Sequence, residues 1–348
     1  YVNEALNVLS KLKMNKNLLK TLFISCIGFG AINAYAQDPE FTQFYAAPIY
    51  TNPAMAGTAS CTDRRSAGGR MVLNYRNQWP SLPGTFRTVI AGWDQHFDNL
   101  GGGLGIMFTK DVAGTGKLSR TTIHGDYSFL IPLGKTAYLR LGIEAALFQQ
   151  GIDYARLKFG DQIDATQGFV NPTGEVFSSN TKTYPNFSAG ALVYTKNFYA
   201  GVASHNITEP NQSFENDPYG TLPRRYTGHA GVTIPLDNRR NSKSNISPNA
   251  LFMMQDNFTQ INLGVYINKG PLVTGLWFRQ SVGDAGNSDA LMALIGFRKD
   301  RFKFGYSYDI TVSSARSTVP GSHEVSAAVD WCLKRRPMRF RPLQCPDF

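Results

Sequence analysis

The sequence has few charged residues and, beyond residue 37, no long hydrophobic run. Asp, Glu, Lys and Arg make up 17% of its 348 residues, whereas about a quarter is usual in a soluble domain. A membrane-spanning helix needs at least about 18 consecutive apolar residues. This part of the chain is therefore expected either to be soluble or to cross a membrane as strands. Plentiful Gly, Phe and Tyr favour turn-rich β structure over helices.

Catalytic and metal-binding patterns are scarce as well. His124 and His323 fall in well-defined candidate strands, but no Gly-x-Ser-x-Gly elbow accompanies them, so a hydrolase is kept only as an alternative. The Gly run 101–103 lacks the Gly-Lys-Ser/Thr of a phosphate loop and is interpreted as a turn. Asp161 and Asp164 lie in a loop that either binds calcium weakly or is merely solvated. No Cys/His spacing fits zinc. We predict no enzyme, no cofactor and no structural metal.

An export signal is expected near the N-terminus. A basic region begins at Met14, an apolar run follows, and Ala34-Tyr35-Ala36 supplies small residues at the −3 and −1 positions of a cleavage site. We expect residues 1–13 to be an upstream start artefact, residues 14–36 to be a signal peptide, and Gln37 to begin the mature chain. An exported protein meets no nucleic acid, so the formal charge of +10 is interpreted as local basic patches.

Period-two alternation recurs along the rest of the chain. The clearest case is a run in which Phe302, Phe304, Tyr306, Tyr308 and Ile310 alternate with Arg301, Lys303, Gly305, Ser307 and Asp309. Successive strand side chains point to opposite faces, so each such segment has one apolar and one polar face. About fourteen strands are predicted, near 70–78, 85–97, 103–111, 117–131, 136–151, 184–195, 198–207, 225–235, 248–256, 258–268, 271–281, 289–298, 301–312 and 321–332. Most are long enough to cross hydrocarbon as tilted strands.

The connections between these strands mostly alternate in length. Long ones are predicted at 152–183, 208–224, 282–288 and 313–320, and short ones at 132–135, 196–197, 269–270 and 299–300. This parity predicts short periplasmic turns and long outer loops, with exceptions at 236–247 and 256–257. The predicted fold is all-β: a transmembrane antiparallel up-and-down β-barrel of about 14 strands over residues 70–332. Residues 37–69 are expected to enter the lumen or line its periplasmic mouth, and 333–348 to form a basic periplasmic tail.

Three cysteines remain after removal of the signal, in an oxidising compartment. Barrel closure joins the first and last strands, which would bring the segment that carries Cys61 near Cys332 or Cys345. A Cys61–Cys332 bond would lock the seam between the first and last strands, whereas a Cys61–Cys345 bond would tie down the C-terminal tail. Either bond leaves one thiol unpaired.

Two polar groups suggest contacts. Tyr75 and Trp79 suit interfacial anchors. The intervening Arg76, Asn77 and Gln78 either brace the barrel mouth and the N-terminal segment or contact a partner directly. In the tail, four arginines either dock an acidic periplasmic partner or belong to a solvated extension; they are Arg335, Arg336, Arg339 and Arg341.

Three stretches resemble the PorP/SprF family of type IX secretion membrane proteins. Residues 37–44 are followed by Asn52-Pro53-Ala54-Met55-Ala56-Gly57, the first strand ends in Asn74-Tyr75-Arg76-Asn77-Gln78-Trp79-Pro80, and the last begins Gly321-Ser322-His323-Glu324-Val325. The resemblance implies an outer-membrane barrel of a Gram-negative, Bacteroidetes-type bacterium, in contact with outer-membrane lipid. Such proteins act with a ring of periplasmic lipoproteins, and some are paired with cell-surface adhesins in secretion and gliding motility.

We therefore expect a non-catalytic component of the type IX secretion system. It would couple the secretion or surface anchoring of a dedicated, adhesin-like protein to the periplasmic lipoprotein ring. The alternative is a passive porin or small-molecule channel, which requires an open lumen.

Overall fold

The computed structural model describes residues 38–59, 68–82, 84–164, 166–177, 179–215, 220–236, 244–282, 288–312 and 321–332. Within these ranges, fourteen strands form one continuous wall. They are β1 Gly68–Gln78, β2 Phe86–Phe97, β3 Gly102–Ala113, β4 Leu118–Pro132, β5 Tyr138–Gly151, β6 Thr181–Tyr194, β7 Phe198–His205, β8 Arg225–Val232, β9 Asn245–Gln255, β10 Phe258–Lys269, β11 Leu272–Val282, β12 Ser288–Lys299, β13 Phe302–Thr311 and β14 Ser322–Cys332.

The remaining elements are short. A helical turn, α1, spans Pro48–Thr51 and is followed by a 3-10 turn at Pro53–Met55. Other 3-10 turns are Asp98–Leu100, Tyr154–Arg156 and Gly160–Gln162. Ile163–Asp164 and Gly168–Phe169 form a small hairpin outside the wall, and Ile234–Pro235 continues the pairing with β9 beyond the end of β8.

The wall is closed. Each strand pairs antiparallel with the next along the chain, and β14 returns to pair with β1 from Gly68↔Cys332 to Gln78↔Ser322. Closure leaves no strand edge unpaired, which is a requirement for strands that cross a membrane. The predicted 14-stranded antiparallel barrel is confirmed.

The two faces of the wall are inverted relative to a soluble protein. Outward-pointing Leu73 and Ile143 are 58% and 62% exposed, whereas inward-pointing Arg140 and Glu324 are 1% and 0% exposed. An apolar outer wall around a polar interior is typical of a barrel set in lipid. No helix in the described ranges is long and apolar enough to span a membrane.

The barrel has two distinct ends. We call the end where β1 begins and β14 finishes the terminal end; the opposite one, which carries the 152–180 and 206–224 connections, is the long-loop end. Most predicted boundaries agree within two residues, but three differ by three: β6 begins at Thr181 rather than at 184, β8 ends at Val232 rather than at 235, and β9 begins at Asn245 rather than at 248. A proline within a strand normally stands at its first residue, which favours a start of β9 at Pro248. In the structure, Ile246 and Ser247 nevertheless pair with β10.

Candidate functional site in the barrel lumen

Residues 39–59, here called the luminal segment, lie inside the barrel. Every residue from Phe41 to Ile49 is buried, as is every one from Thr51 to Ala59. At one extreme, Glu40 lies 3.6 Å from Arg279, near the long-loop end of β11. At the other, Ala59 accepts a hydrogen bond from the backbone N–H of Gly68, at the start of β1. The segment therefore extends from the long-loop half of the lumen to the terminal end.

An ionic cluster holds the first part of the luminal segment. Arg76 on β1 is 2.8 Å from Asp309 on β13 and 3.1 Å from Glu324 on β14. Its guanidinium also donates to the hydroxyl of Thr42 at 2.6 Å. Arg279 approaches Asp309 at 3.3 Å. Two arginines thus balance two buried carboxylates and hold the chain at Thr42.

Glu324 binds the backbone of the luminal segment directly. Its carboxylate accepts the N–H groups of Thr42 at 2.7 Å and Gln43 at 3.0 Å, and the side chain of Asn74 at 2.8 Å. The Gln43 amide in turn donates to Ser307 at 3.1 Å. Buried backbone N–H groups require acceptors, and here a side chain of the last strand supplies them.

Asn52 joins the luminal segment to the opposite wall. Its side-chain nitrogen lies 3.1 Å from the carbonyl oxygen of Ala191 on β6 and 3.2 Å from that of Val202 on β7. It is also 3.1 Å from Nε2 of His229 on β8. The side-chain oxygen accepts the N–H of Ala54 and so caps the 3-10 turn. A Cβ at Gly190 would collide with this amide, so the wall is shaped to admit it.

The exit of the luminal segment is held by a second polar cluster. Arg140 on β5 donates to the carbonyl oxygens of Ala56 and Gly57. Asp94 on β2 accepts the N–H of Gly57 at 2.9 Å and forms a bidentate pair with Arg70. Gly57 has a φ of +68°, and a Cβ there would lie 2.6 Å from Cα of Gly103. Glycine is therefore required both by the backbone conformation and by the available space.

Between these two clusters the lumen is filled by aromatic rings. Phe44 packs edge-on against Trp277 with ring centroids 4.8 Å apart, and Tyr45 meets Tyr266 at 5.9 Å. The Tyr199 hydroxyl lies 2.6 Å from that of Tyr45. All five side chains are buried. The middle of the lumen is thus an apolar core.

The histidines do not form a catalytic arrangement with the residues around them. His124 Nδ1 is 3.2 Å from Glu144, and Ser188 donates to the same carboxylate at 2.7 Å. The acid therefore lies between Ser and His, whereas a triad requires the histidine in the middle. His323 points to the outer face, where Tyr306 contacts it at 2.9 Å. Barrel closure does not bring the two histidines to the same face of the wall.

The loop carboxylates are engaged by local turns. Asp161 accepts hydrogen bonds from Thr173 and Gly174. Hydrogen bonds from the side chain and backbone of Thr166, and from Gln167, lower the pKa of Asp164. Among the described residues no group of three His, Cys, Asp or Glu side chains is arranged to hold a metal.

The other residues that the sequence singled out lie in several places. The backbone N–H of Trp79 donates to the carbonyl of Gly321, which joins the ends of the two seam strands, and Tyr75 faces outward at 43% exposure. Cys332 is disulfide-bonded. Asn77 and Gln78 are half-buried and pair with His323 and Ser322 on β14. Six positions lie outside the described residues, so their roles and the disulfide pairing stay predictions; they are Cys61, Cys345, Arg335, Arg336, Arg339 and Arg341. The tail and the proposed export signal lie outside the described residues as well.

Several luminal residues were not foreseen from the sequence. Asp94, Arg140 and His229 contact the luminal segment, but each lies on the polar face of an ordinary alternating strand. The only signal in the sequence was a charged side chain or an imidazole ring at a position that points into the lumen. That signal alone does not reveal which inward residues meet the segment.

One protein family and several solved outer-membrane proteins are similar to this chain. The family model described as type IX secretion system membrane protein PorP/SprF matches residues 33–329. No curated protein has a matching sequence. Among solved structures, Omp33 of Acinetobacter baumannii is 8% identical with a TM-score of 0.42, covering 76% of this chain and 99% of that one. The monoaromatic hydrocarbon channel CymD is 8% identical with a TM-score of 0.48, covering 83% and 93%.

The toluene transporter TodX of P. putida is also similar, with 8% identity, a TM-score of 0.46 and coverage of 82% and 94%. The family match is the more informative finding, because it extends over most of the chain, from before the luminal segment into the last strand. The chain belongs to the PorP/SprF family of type IX secretion system membrane proteins and is a β-barrel of the outer membrane.

Proposed function

We propose that this barrel is a non-catalytic, non-conducting anchor of the type IX apparatus. In this role it couples a dedicated, adhesin-like protein at the cell surface to the lipoprotein ring in the periplasm. The observation that carries the proposal is the luminal segment, whose backbone is bound by Glu324 at one level and by Arg140 at another. A lumen occupied in this way favours a scaffold over a passage.

The energetics of the luminal contacts support this choice over a passive porin. A porin keeps a polar, water-filled lumen, whereas here aromatic side chains such as Phe44 and Trp277 pack together across the interior. Removing the segment would expose that apolar surface and leave the Glu324 and Asp309 carboxylates without several of their partners. These partners are the Thr42 and Gln43 donors. A buried group left without its hydrogen bonds costs about 1–3 kcal/mol, and more when it is charged, so spontaneous opening of the lumen is disfavoured.

The long-loop end is the candidate surface for the secreted partner. The 152–180 connection is ordered by Tyr154, which stacks on Phe177 with centroids 3.8 Å apart. Lys182 also donates to the carbonyl of Ser213, which ties this loop to the 206–224 connection. On this framework Val176 is 91% exposed. Apolar side chains exposed outside the lipid belt suit a protein contact.

The opposite end is the candidate surface for the lipoprotein ring. β14 finishes at the terminal end with Cys332, and the basic tail with Arg335 and Arg336 follows directly in the sequence. Cationic side chains favour an acidic partner, and their contribution weakens as salt rises.

Affinity purification from the native outer membrane tests the coupling. The tagged protein is extracted in mild detergent, and the proteins that accompany it are identified by mass spectrometry. We expect ring lipoproteins and one large surface protein. Substituting Ser for the four tail arginines should release the ring lipoproteins alone. Val176→Ser combined with Val170→Ser, a change at a second exposed valine of the 152–180 connection, should release the surface protein alone. Recovery of the barrel by itself, even after crosslinking, would contradict the proposal.

Planar-bilayer recordings separate the anchor from the channel. The intact barrel is expected to give no stable conductance steps. Phe44→Ala combined with Tyr45→Ala removes two rings from the middle of the lumen and should introduce steps. Large ohmic steps from the unmodified protein would favour the passive porin instead.

A further inference from the structure

The luminal segment begins close to the long-loop end of the barrel. The hydroxyl of Tyr50 donates to the carbonyl oxygen of Pro39 at 2.6 Å and accepts from the guanidinium of Arg225 at 3.0 Å. Arg225 is the first residue of β8, at the long-loop end. Glu40 lies 3.6 Å from Arg279, which stands three residues before that end of β11. Because a strand rises by about 3.3 Å per residue, Arg279 is roughly 10 Å from the edge of the wall.

The start of the luminal segment is accessible to solvent, whereas most of the segment is not. Pro39, Glu40 and Tyr50 are half-buried, and all its other residues are buried. The side chain of Glu40 is 20% exposed, but Phe41, which follows it, is only 5% exposed. Because the three half-buried residues lie together at the long-loop end, solvent reaches the segment from that end.

Aromatic and cationic side chains hold this start in place. The ring of Phe41 packs edge-on against that of Tyr50, with centroids 5.0 Å apart. The guanidinium of Arg225 lies 4.7 Å from the centre of the Tyr50 ring, and a cation over an aromatic face is attractive. Through its hydrogen bond to Tyr50, Pro39 is therefore held at the outer mouth of the lumen.

The other extreme of the luminal segment lies at the terminal end. Arg140, which binds the carbonyl oxygens of Ala56 and Gly57, is the third residue of β5 from that end. Gly68, which donates to Ala59, is the first residue of β1. A barrel with an even number of strands begins and ends its wall on one side of the membrane. The wall follows that rule here, but the segment that precedes it starts on the opposite side.

The charge at the outer mouth indicates the kind of partner that fits. In the ionic cluster around Thr42, two arginines balance two buried carboxylates. Glu40 adds a third carboxylate to this cluster. Its side chain is 20% exposed, whereas those of the other four members are at most 8% exposed. A cationic side chain of a protein at the outer mouth would complete the balance of charge.

We propose that the surface partner contacts the start of the luminal segment, at Pro39 and Glu40, through a cationic side chain. The luminal segment then joins this outer contact to the terminal end as one continuous stretch of backbone. A load applied at the cell surface passes along that backbone to the cluster of Arg140 and Gly57, next to the surface assigned to the lipoprotein ring. This inference rests on the anchor function proposed above and identifies the part of the barrel that connects its two partners.

Thiol labelling of whole cells tests the exposure. Pro39→Cys is treated with a membrane-impermeant maleimide, and incorporation is measured above the background of the chain's own cysteines. We expect labelling in intact cells, to an extent comparable with that of Val176→Cys on the exposed long loop. Lys269→Cys, at the terminal end of β10, should react only after the outer membrane is permeabilised. Heat-dependent gel migration verifies that each variant is folded.

Two results of the labelling would overturn the inference. If Pro39→Cys also reacts only after permeabilisation, the start of the segment is not open to the cell exterior. If Lys269→Cys reacts in intact cells and Val176→Cys does not, the barrel has the opposite orientation, and the anchor function fails with the inference.

Site-specific crosslinking tests the contact itself. A short photoactivatable maleimide is attached to Pro39→Cys or, as the matched control, to Thr115→Cys in the exposed turn between β3 and β4 at the same end. We expect the surface protein to be joined to Pro39→Cys and not to Thr115→Cys. If Pro39→Cys gives products only within the barrel while Val176→Cys captures the surface protein, the inference is wrong and the anchor function stands. Loss of capture from both positions would overturn both.

Glu40→Gln tests the charge. The substitution keeps the shape of the side chain and removes its negative charge. Retention of the surface protein during purification should fall about two- to fivefold, the range that an exposed ion pair supplies, while the ring lipoproteins stay bound. Unchanged retention would overturn the cationic contact.

Discussion

Arg76 and Glu324 lie opposite each other across the seam between the first and last strands, with Nη1 of the arginine 3.1 Å from Oε2 of the glutamate. Both point into the lumen and are at most 2% exposed. The same two side chains contact Thr42. One ion pair therefore joins the seam of the barrel to the segment that fills it.

Replacing Arg76 with Met should destabilise the barrel strongly. The change leaves the Glu324 and Asp309 carboxylates buried with fewer cations, which costs about 3–5 kcal/mol. Urea titrations followed by tryptophan fluorescence in lipid vesicles measure this free energy of unfolding. Arg87→Met is the control, because Arg87 is exposed at the long-loop end of β2. Its effect should stay within about 0.5 kcal/mol. Equal effects of the two substitutions would refute the role of the luminal ion pair.

Gly57→Ala should cost more than the same change at another glycine with positive φ. Gly57 and Gly114 have φ values of +68° and +71°, but a Cβ at Gly114 would meet no atom within 4 Å. Gly114→Ala therefore reports the conformational strain alone, about 1–2 kcal/mol. Gly57→Ala adds a collision with Gly103 and should also make the luminal segment accessible to protease. If the two variants unfold at the same denaturant concentration, the close approach at Gly57 has no energetic role.

Asn52→Asp tests the clamp on the opposite wall. The side chain keeps its shape but loses both N–H donors and places a charge beside the carbonyl oxygens of Ala191 and Val202. A buried group left without its hydrogen bonds costs about 1–3 kcal/mol, and more when it is charged. Asn197→Asp, in the exposed turn between β6 and β7, is the matched control. A thermal melting temperature lowered equally in both variants would count against a specific clamp.

The disulfide of Cys332 is open to direct mapping. Proteolysis without reduction, followed by mass spectrometry, should recover Cys332 joined to Cys61 or to Cys345 as one linked peptide. Cys332→Ser is then expected to cost about 2–4 kcal/mol, because a disulfide restricts the unfolded chain, and the cost should be larger for the long loop to Cys61 than for the short one to Cys345. Three free thiols in the native protein would end this prediction.

The strands could be predicted closely from the sequence alone. The alternation over 301–312 matches β13 at Phe302–Thr311, because each barrel strand repeats the same two-residue period against lipid on one side and polar groups on the other. The alternation of short and long connections predicted that they lie at opposite ends of the barrel, and the short connections at 269–270 and 299–300 do lie at the terminal end. The type and order of the elements are thus determined by local sequence, within windows of about ten residues.

The interior could not be predicted in the same way. Thr42 and Glu324 are 282 positions apart in sequence, and no periodicity links them. The luminal segment has no repeating pattern of its own. Its conformation depends on which inward side chains of several strands happen to meet it, and these resemble the other inward polar residues of the wall.

The position of Glu324 links closure of the barrel to the contents of its lumen. The luminal segment precedes every described strand, while the carboxylate that accepts its N–H groups lies on β14, the last of them. The same carboxylate faces Arg76 across the pair that closes the wall. Docking of the segment and pairing of the first strand with the last therefore stabilise each other, so the two events are thermodynamically coupled.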